Sequence, residues 1–221
     1  HRKIDLTGRV VAITSQRAGR EPLVMAQIEI GLGKLYRFRL FYSQFENFSA
    51  LPAYANPEIG DGVTPGQHTW DRDRQTLDME LEILPNRAVT PLIGYRRNVI
   101  DGPRNTTYRI GQNEYRLSSN LKETEEEIYA GITFRAGDFF GTLIQGWREY
   151  EANDSLTLAP GERDGNLGIP ILGVDQYIDE LSRSMTSEAE TPVTTANVQG
   201  KIGDLADVKL SYVRADREGE A

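Results

Sequence analysis

Residues able to do chemistry are few in this chain and widely scattered. Its 221 residues include no Cys and two His, His1 and His68. That removes thiol catalysis, disulfides, Cys-bound zinc and covalent haem attachment, and a multi-His metal site with them. His68 opens the segment His68-Thr69-Trp70-Asp71-Arg72-Asp73-Arg74, which could meet a partner or an ion. Asp71 and Asp73 have the i, i+2 spacing of calcium loops, but the Gly and distal Glu of an EF-hand are missing. The plainer reading is a loop rejoining a strand with alternating charges. The run Glu123-Thr124-Glu125-Glu126-Glu127 could attract cations, and a solvated strand entry is its simpler reading. There is no Gly-x-Ser-x-Gly, no phosphate-binding Gly loop and no His-Glu-x-x-His. No catalytic residue, metal site or cofactor is therefore assigned, and the chain is expected to be non-enzymatic.

The charges that do follow a pattern lie between apolar residues at period two. Tyr36, Phe38, Leu40 and Tyr42 alternate with Arg37, Arg39 and Ser43, and Leu77, Met79, Leu81 and Ile83 alternate with Asp78, Glu80 and Glu82. Similar alternation runs through Val24–Ile30, with Gln27 and Glu29, and through Ile128–Phe134, Val208–Tyr212 and Ile4–Ala12. Successive side chains of a strand point to opposite faces, so each segment has one apolar and one charged face. In a barrel the charged face would line the lumen, with Glu29, Arg37, Arg39, Asp78, Glu80, Glu82 and Arg135, and the apolar face would meet lipid, with Tyr36, Phe38, Leu40, Leu77, Met79 and Leu81. Across the first of these hairpins Glu29 is expected to face Arg37, and Gln27 to face Arg39.

About nine strands are expected, at 3–13, 22–30, 35–43, 76–84, 89–98, 126–135, 139–149, 193–202 and 207–215. Tight turns fit at Gly31–Lys34, Pro85–Ala88, Ala136–Asp138 and Gly203–Ala206. Between these hairpins lie polar stretches at about 44–74, 99–124 and 150–191, expected as long outer loops. Two segments fit awkwardly: Pro91 falls inside a strand, and 139–149 mixes apolar residues on both faces. An amphipathic helix is expected over 174–185, with Val174, Tyr177, Ile178, Leu181 and Met185 on one side.

A formal charge of −8 disfavours broad contact with nucleic acid. Mean hydropathy is −0.49, and no stretch approaches the ~18 apolar residues of a membrane helix. Alternating strands keep hydropathy low, however, so a membrane β-barrel escapes this arithmetic. Strict alternation of tight turn and long loop is a barrel signature, and Tyr36, Tyr42, Tyr95, Trp147 and Tyr212 near the expected strand ends suit an interfacial girdle. An odd strand count and an end at Arg217-Glu218-Gly219-Glu220-Ala221, without a terminal aromatic, suggest the N-terminal part of a larger barrel.

Tyr36–Tyr42, the loop Leu51-Pro52-Ala53-Tyr54-Ala55-Asn56-Pro57, and Arg74–Ile83 followed by Pro85 and Gly94-Tyr95-Arg96-Arg97-Asn98 resemble large outer-membrane barrels of Acidobacteria-like Gram-negative bacteria, grouped with the MtrB/PioB type. The resemblance covers about residues 35–150. It implies a sleeve around a periplasmic multihaem cytochrome, the haem belonging to that partner. It transfers no residue roles, and the Cys pair of some members is missing here.

The expectation is thus an all-β, antiparallel, up-and-down transmembrane β-barrel, a single domain over 1–221 or part of one. It would lie in the outer membrane of a Gram-negative bacterium as a channel or protein-housing conduit. Its partners would be the lipid bilayer and a periplasmic or plug protein or further copies of itself. The alternatives are a secreted β-sandwich or adhesin-like binding module and, more remotely, a barrel lipase.

Overall fold

Period-two patterning dictates strands, and the computed structural model consists almost wholly of them. It describes residues 2–6, 9–16, 23–32, 34–51, 68–85, 87–111, 113–161, 163–168, 176–203 and 206–220, with side chains from Val24 to Gly219. Eleven strands follow in chain order. They are β1 (Arg2–Leu6), β2 (Arg9–Gln16), β3 (Leu23–Leu32), β4 (Tyr36–Leu51), β5 (His68–Ile83), β6 (Val89–Ile110), β7 (Asn113–Ala136), β8 (Phe139–Leu158), β9 (Ser182–Ile202), β10 (Ala206–Ala215) and β11 (Glu218–Glu220). All belong to one antiparallel sheet in which each strand pairs with its sequence neighbour, from β1 to β10. Among the described residues β1 and β10 each pair on one side only, so the up-and-down sheet has two edges. No helix among them is long and apolar enough to cross a membrane.

Eleven strands replace the expected nine for two reasons. The segment 3–13 is a hairpin, with Ile4 opposite Val11 and Leu6 opposite Arg9, and does not run as one strand. At the other end, β11 meets β9 in the register of β10: Ala215 faces Val193 and Glu218 faces Glu190. The ladder lapses only at Asp216 and Arg217, beside Pro192, which has no N–H to donate. Pro91 is accommodated in a similar way. It pairs with Ile132 on β7 but lies past Leu92, where the ladder from β5 ends.

The stretches expected as outer loops are corrected in large part to strand. Residues 99–124 form the far half of the β6–β7 hairpin, paired from Val99↔Thr124 to Ile110↔Asn113. β4 continues to Leu51 and β5 begins at His68; residues 52–67, which include most of the Leu51–Pro57 motif, lie outside the described residues. The helix expected over 174–185 is not formed where the chain is described. Tyr177 bridges Asp164, and Ser182–Met185 opens β9; Val174 and Asp175 lie outside the described residues. Of the residues expected on one helical face only Met185 lies in β9, opposite Asp154 of β8, where the ladder satisfies the backbone.

The sheet is sheared steadily in one direction. A line across the ladder from Ile30 runs through Phe38, Leu81, Ile93, Ala130, Gln145 and Thr194 to Arg214. Ile30 lies two residues from the tight-turn end of β3, Ile93 four from that of β6, Gln145 six from that of β8, and Arg214 eight from that of β10. Six residues of slip at ~3.3 Å over seven spacings of ~4.8 Å correspond to a lean of about 30° from the normal to the plane of the turns.

Polarity inverts along the long strands. Near the tight turns one face is apolar: on β7 it carries Phe134, Ile132, Ala130 and Ile128, and on β8 Phe139, Leu143 and Trp147. This settles 139–149, where Phe140 and Ile144 point the other way. Past Glu126 the parity changes, and the opposite face holds the buried Leu121, Leu117 and Tyr115. There the β8–β9 connection folds over the tip of β7. Asn166, in a short 3-10 turn at Gly165–Gly168, accepts from the Glu114 N–H at 2.8 Å and donates to Asn113 at 2.9 Å. The Tyr115 hydroxyl donates to the Gln176 carbonyl at 3.4 Å. The most buried apolar side chains therefore lie on the face opposite the exposed apolar band.

Candidate functional site

All seven residues expected on the charged face do share one face. Glu29 stands opposite Arg39, Arg37 opposite Glu82, and Arg39 opposite Glu80, with Asp78 opposite Phe41. Arg135 joins them from the end of β7, opposite Phe140. The expected pairing across β3 and β4 is corrected by two residues. Glu29 faces Arg39 rather than Arg37, and Gln27 faces Phe41. Glu29 still reaches Arg37 diagonally, at 3.8 Å. The six residues expected on the apolar face lie together on the other side, with Tyr36, Phe38, Leu40 and Tyr42 opposite Ile83, Leu81, Met79 and Leu77.

Register turns the charged residues into a belt of ion pairs from β3 to β8. Arg37 meets Glu82 at 3.3 Å, and Arg39 meets Glu82 at 2.7 Å and also Glu80. The Tyr129 hydroxyl donates to Glu80 at 3.3 Å, across the intervening β6. Arg96 meets Asp78 at 3.1 Å and Glu127 at 3.5 Å, with its guanidinium 5.6 Å from the Tyr129 ring centre. Arg148 closes the belt on Glu127 at 3.1 Å and Glu125 at 3.7 Å. Most members are a third or more exposed, so single pairs contribute about 0–1 kcal/mol each. Glu127 differs: its side chain is 8% exposed and lies between two guanidinium groups.

Two glycines make room for this arrangement. Gly94 faces Tyr129 across β6 and β7, and a Cβ at Gly94 would overlap the phenol ring. At Gly146, opposite Tyr129 on β8, a Cβ would run into the Glu127 carboxylate. Gly94→Ala is expected to cost about 1–3 kcal/mol through overpacking, read as a lowered urea midpoint in detergent. Combining it with Tyr129→Ala should restore most of the loss. A fully stable Gly94→Ala protein would show that the ring does not lie across that position. Tyr129, Gly94, Gly146 and Arg148 were missed in the sequence because nothing in the spacing says which residue lies opposite which.

Farther from the turns, Arg104, Ser119 and Asp154 form a second cluster on the same face, Ser119 donating to Asp154 at 2.6 Å. On the opposite face the Glu run lines up with its neighbours. Glu126, Glu149, Glu190 and Glu218 stand in one row across four strands, and Glu151 and Glu188 in the next. Arg97 pairs with Glu126 at 3.0 Å at one end of the first row. Directly opposed like charges are mildly destabilising, so these rows belong in water. In the same region burial raises the Tyr150 phenol above its ordinary range, Glu123 and Glu125 add to the rise, and Arg217 over the ring opposes it.

The segment expected as a loop at His68–Arg74 is the first half of β5, with His68 opposite Leu51. Arg72 stacks on Trp70 at 4.5 Å. Asp73 accepts from Gln44 at 2.8 Å and Gln75 at 3.0 Å. Among the described residues no group of His, Asp or Glu is arranged to hold a metal ion.

Comparison with protein-family models, curated proteins and solved structures finds no match.

Proposed function

We propose that this sheet is the wall of an outer-membrane β-barrel, its apolar band against lipid and its ion-pair belt toward a lumen. One observation carries the reading. Aromatic residues bound the apolar band at six to eight residues above the tight turns: Tyr42 on β4, Tyr95 on β6 and Tyr212 on β10 each lie six residues after their strand begins, and Trp147 on β8 lies eight after. This line follows the turns and crosses the ladder obliquely, as a membrane surface does when strands lean. A soluble sheet has no reason to keep apolar side chains at one height relative to its turns. The ~30° lean is close to the 35–45° of membrane barrels. The exposed band itself supports the reading: Ile93, Ile128, Leu143, Trp147 and Leu210 are all solvent-facing in the isolated chain, and contiguous apolar patches of that extent mark an interface. Crossing strands need about 9–11 residues. β4 to β9 have 16–24 and so project beyond the band, where their outward face becomes polar.

Against lipid such a wall satisfies its backbone through its own ladder. The work of such a wall is passage or enclosure. It is a channel for small solutes, or a conduit that sleeves a second protein in the manner of the MtrB/PioB barrels. Closure of the wall would fall at its two edges, β1 and β10. An unbroken ladder of successive neighbours favours this over a β-sandwich, which divides its strands between two sheets.

The two tryptophans test the proposal. Trp147 marks the band edge, whereas Trp70 lies far along β5 on the charged face. In vesicles containing brominated lipid, Trp70→Phe protein should lose most of its fluorescence through quenching of Trp147. Trp147→Phe protein should keep the emission of Trp70. Equal quenching of both, or of neither, would sink the membrane placement.

A further inference from the structure

We infer that the recess at the tight-turn end of the charged face binds a small solute carrying oxyanion groups, phosphate or carboxylate. The recess has a volume of about 580 Å³, within the ~300–1,000 Å³ of small-molecule sites. Four guanidinium groups line it, from Arg37, Arg39, Arg87 and Arg135, against one carboxylate, Glu82. Glu29 and Glu80, just beyond the lining, also pair with Arg37 and Arg39, so Arg87 and Arg135 carry the positive excess at this end of a chain whose net charge is −8.

The four arginines are not equivalent. Arg37 and Arg39 are committed to Glu82, at 3.3 and 2.7 Å. Arg87 and Arg135 have no ion pair or side-chain hydrogen bond among the described residues, so their donors are available. The backbone holds these two side by side. The Arg135 N–H donates to the Ala88 carbonyl at 2.7 Å, tying the end of β7 to the turn that carries Arg87. That turn is itself fixed. Leu84, with φ of 54°, donates its N–H to the Leu35 carbonyl at 2.8 Å, and its own carbonyl accepts from the Thr90 hydroxyl at 3.3 Å. Two free guanidinium forks on anchored backbone can each bind an oxyanion through paired N–H donors. Arg37 and Arg39, paired with Glu29, Glu80 and Glu82, form the charged wall beside them. A ligand with two oxyanion groups fits two forks better than a single phosphate does. Binding at this recess stands whether or not the opposite face lies in lipid.

The test is calorimetric titration of the detergent-solubilised chain with pyrophosphate and, separately, with citrate, at fixed ionic strength. Saturable one-to-one binding of either is expected. Arg87→Gln and Arg135→Gln should each weaken it about tenfold and together abolish it. Neither side chain makes an ion pair among the described residues, so both variants should keep the far-ultraviolet spectrum of the parent. Absence of saturable binding of both anions would overturn the proposal, as would a double variant that binds as well as the parent. Displacement of bound pyrophosphate by phosphatidylglycerol vesicles would overturn the assignment to a free solute, because a lipid headgroup would then be the source of the oxyanion.

Discussion

Leu81→Arg is expected to destabilise the protein in lipid vesicles by about 2–4 kcal/mol, the cost of a cation on the lipid face near the bilayer midplane. Leu81 lies in the middle of the apolar band, with Phe38 and Ile93 directly opposite on its two neighbours. Thr124→Arg is the matched control. Thr124 is on the same face of the same sheet, but it lies past the aromatic line beside Glu126, Glu149 and Glu151. An arginine there meets water and carboxylates, and its effect should stay within about 0.5 kcal/mol. Urea unfolding in vesicles reads both. If the two substitutions have equal small effects, the apolar band faces something other than lipid. If Leu81→Arg costs as much in detergent-free buffer as in vesicles, the band packs against protein.

The second large effect belongs to Glu127. Glu127→Gln removes the charge shared by Arg96 and Arg148, at 3.5 and 3.1 Å, in the least exposed part of the belt. Removing one member of a fully buried pair costs about 3–5 kcal/mol. Here both guanidinium groups are partly solvated, and each keeps another carboxylate, Asp78 or Glu125. The expected loss is therefore about 1–3 kcal/mol. Glu126→Gln, one residue away on the opposite face and 41% exposed, should cost under about 0.5 kcal/mol. A large difference between adjacent glutamates is what separates the two faces energetically. Similar losses for both would mean that the belt is no more than a set of solvated side chains.

Much of this arrangement was legible in the residues. Every side chain expected on the charged face is on one face, because alternation at period two depends only on the strand itself. The tight turns fell where Gly, Pro and Asn punctuate the pattern. The strand ends could not be read. In β7 the apolar residues are even-numbered from Ile128 to Phe134 and odd-numbered from Tyr115 to Leu121, so the stretch around Glu123–Glu127 reads as polar loop while the backbone runs straight through it. A pattern search sees the change of phase as an ending. The ladder, which pairs N–H with C=O whatever the side chain, does not end there.

The sequence by itself determined that this chain forms amphipathic antiparallel strands joined in turn, with one apolar and one charged face near the turns. Only the tertiary structure decided the register. That includes the two-residue offset that sets Glu29 against Arg39, the seating of Tyr129 over Gly94, the sharing of Glu127 between Arg96 and Arg148, and the lean that aligns Tyr42, Tyr95 and Tyr212. The physical reason is that the face of a side chain follows from its own strand, whereas its neighbour depends on how two strands slide past each other. That sliding is set jointly by turn geometry and by contacts far apart in the chain.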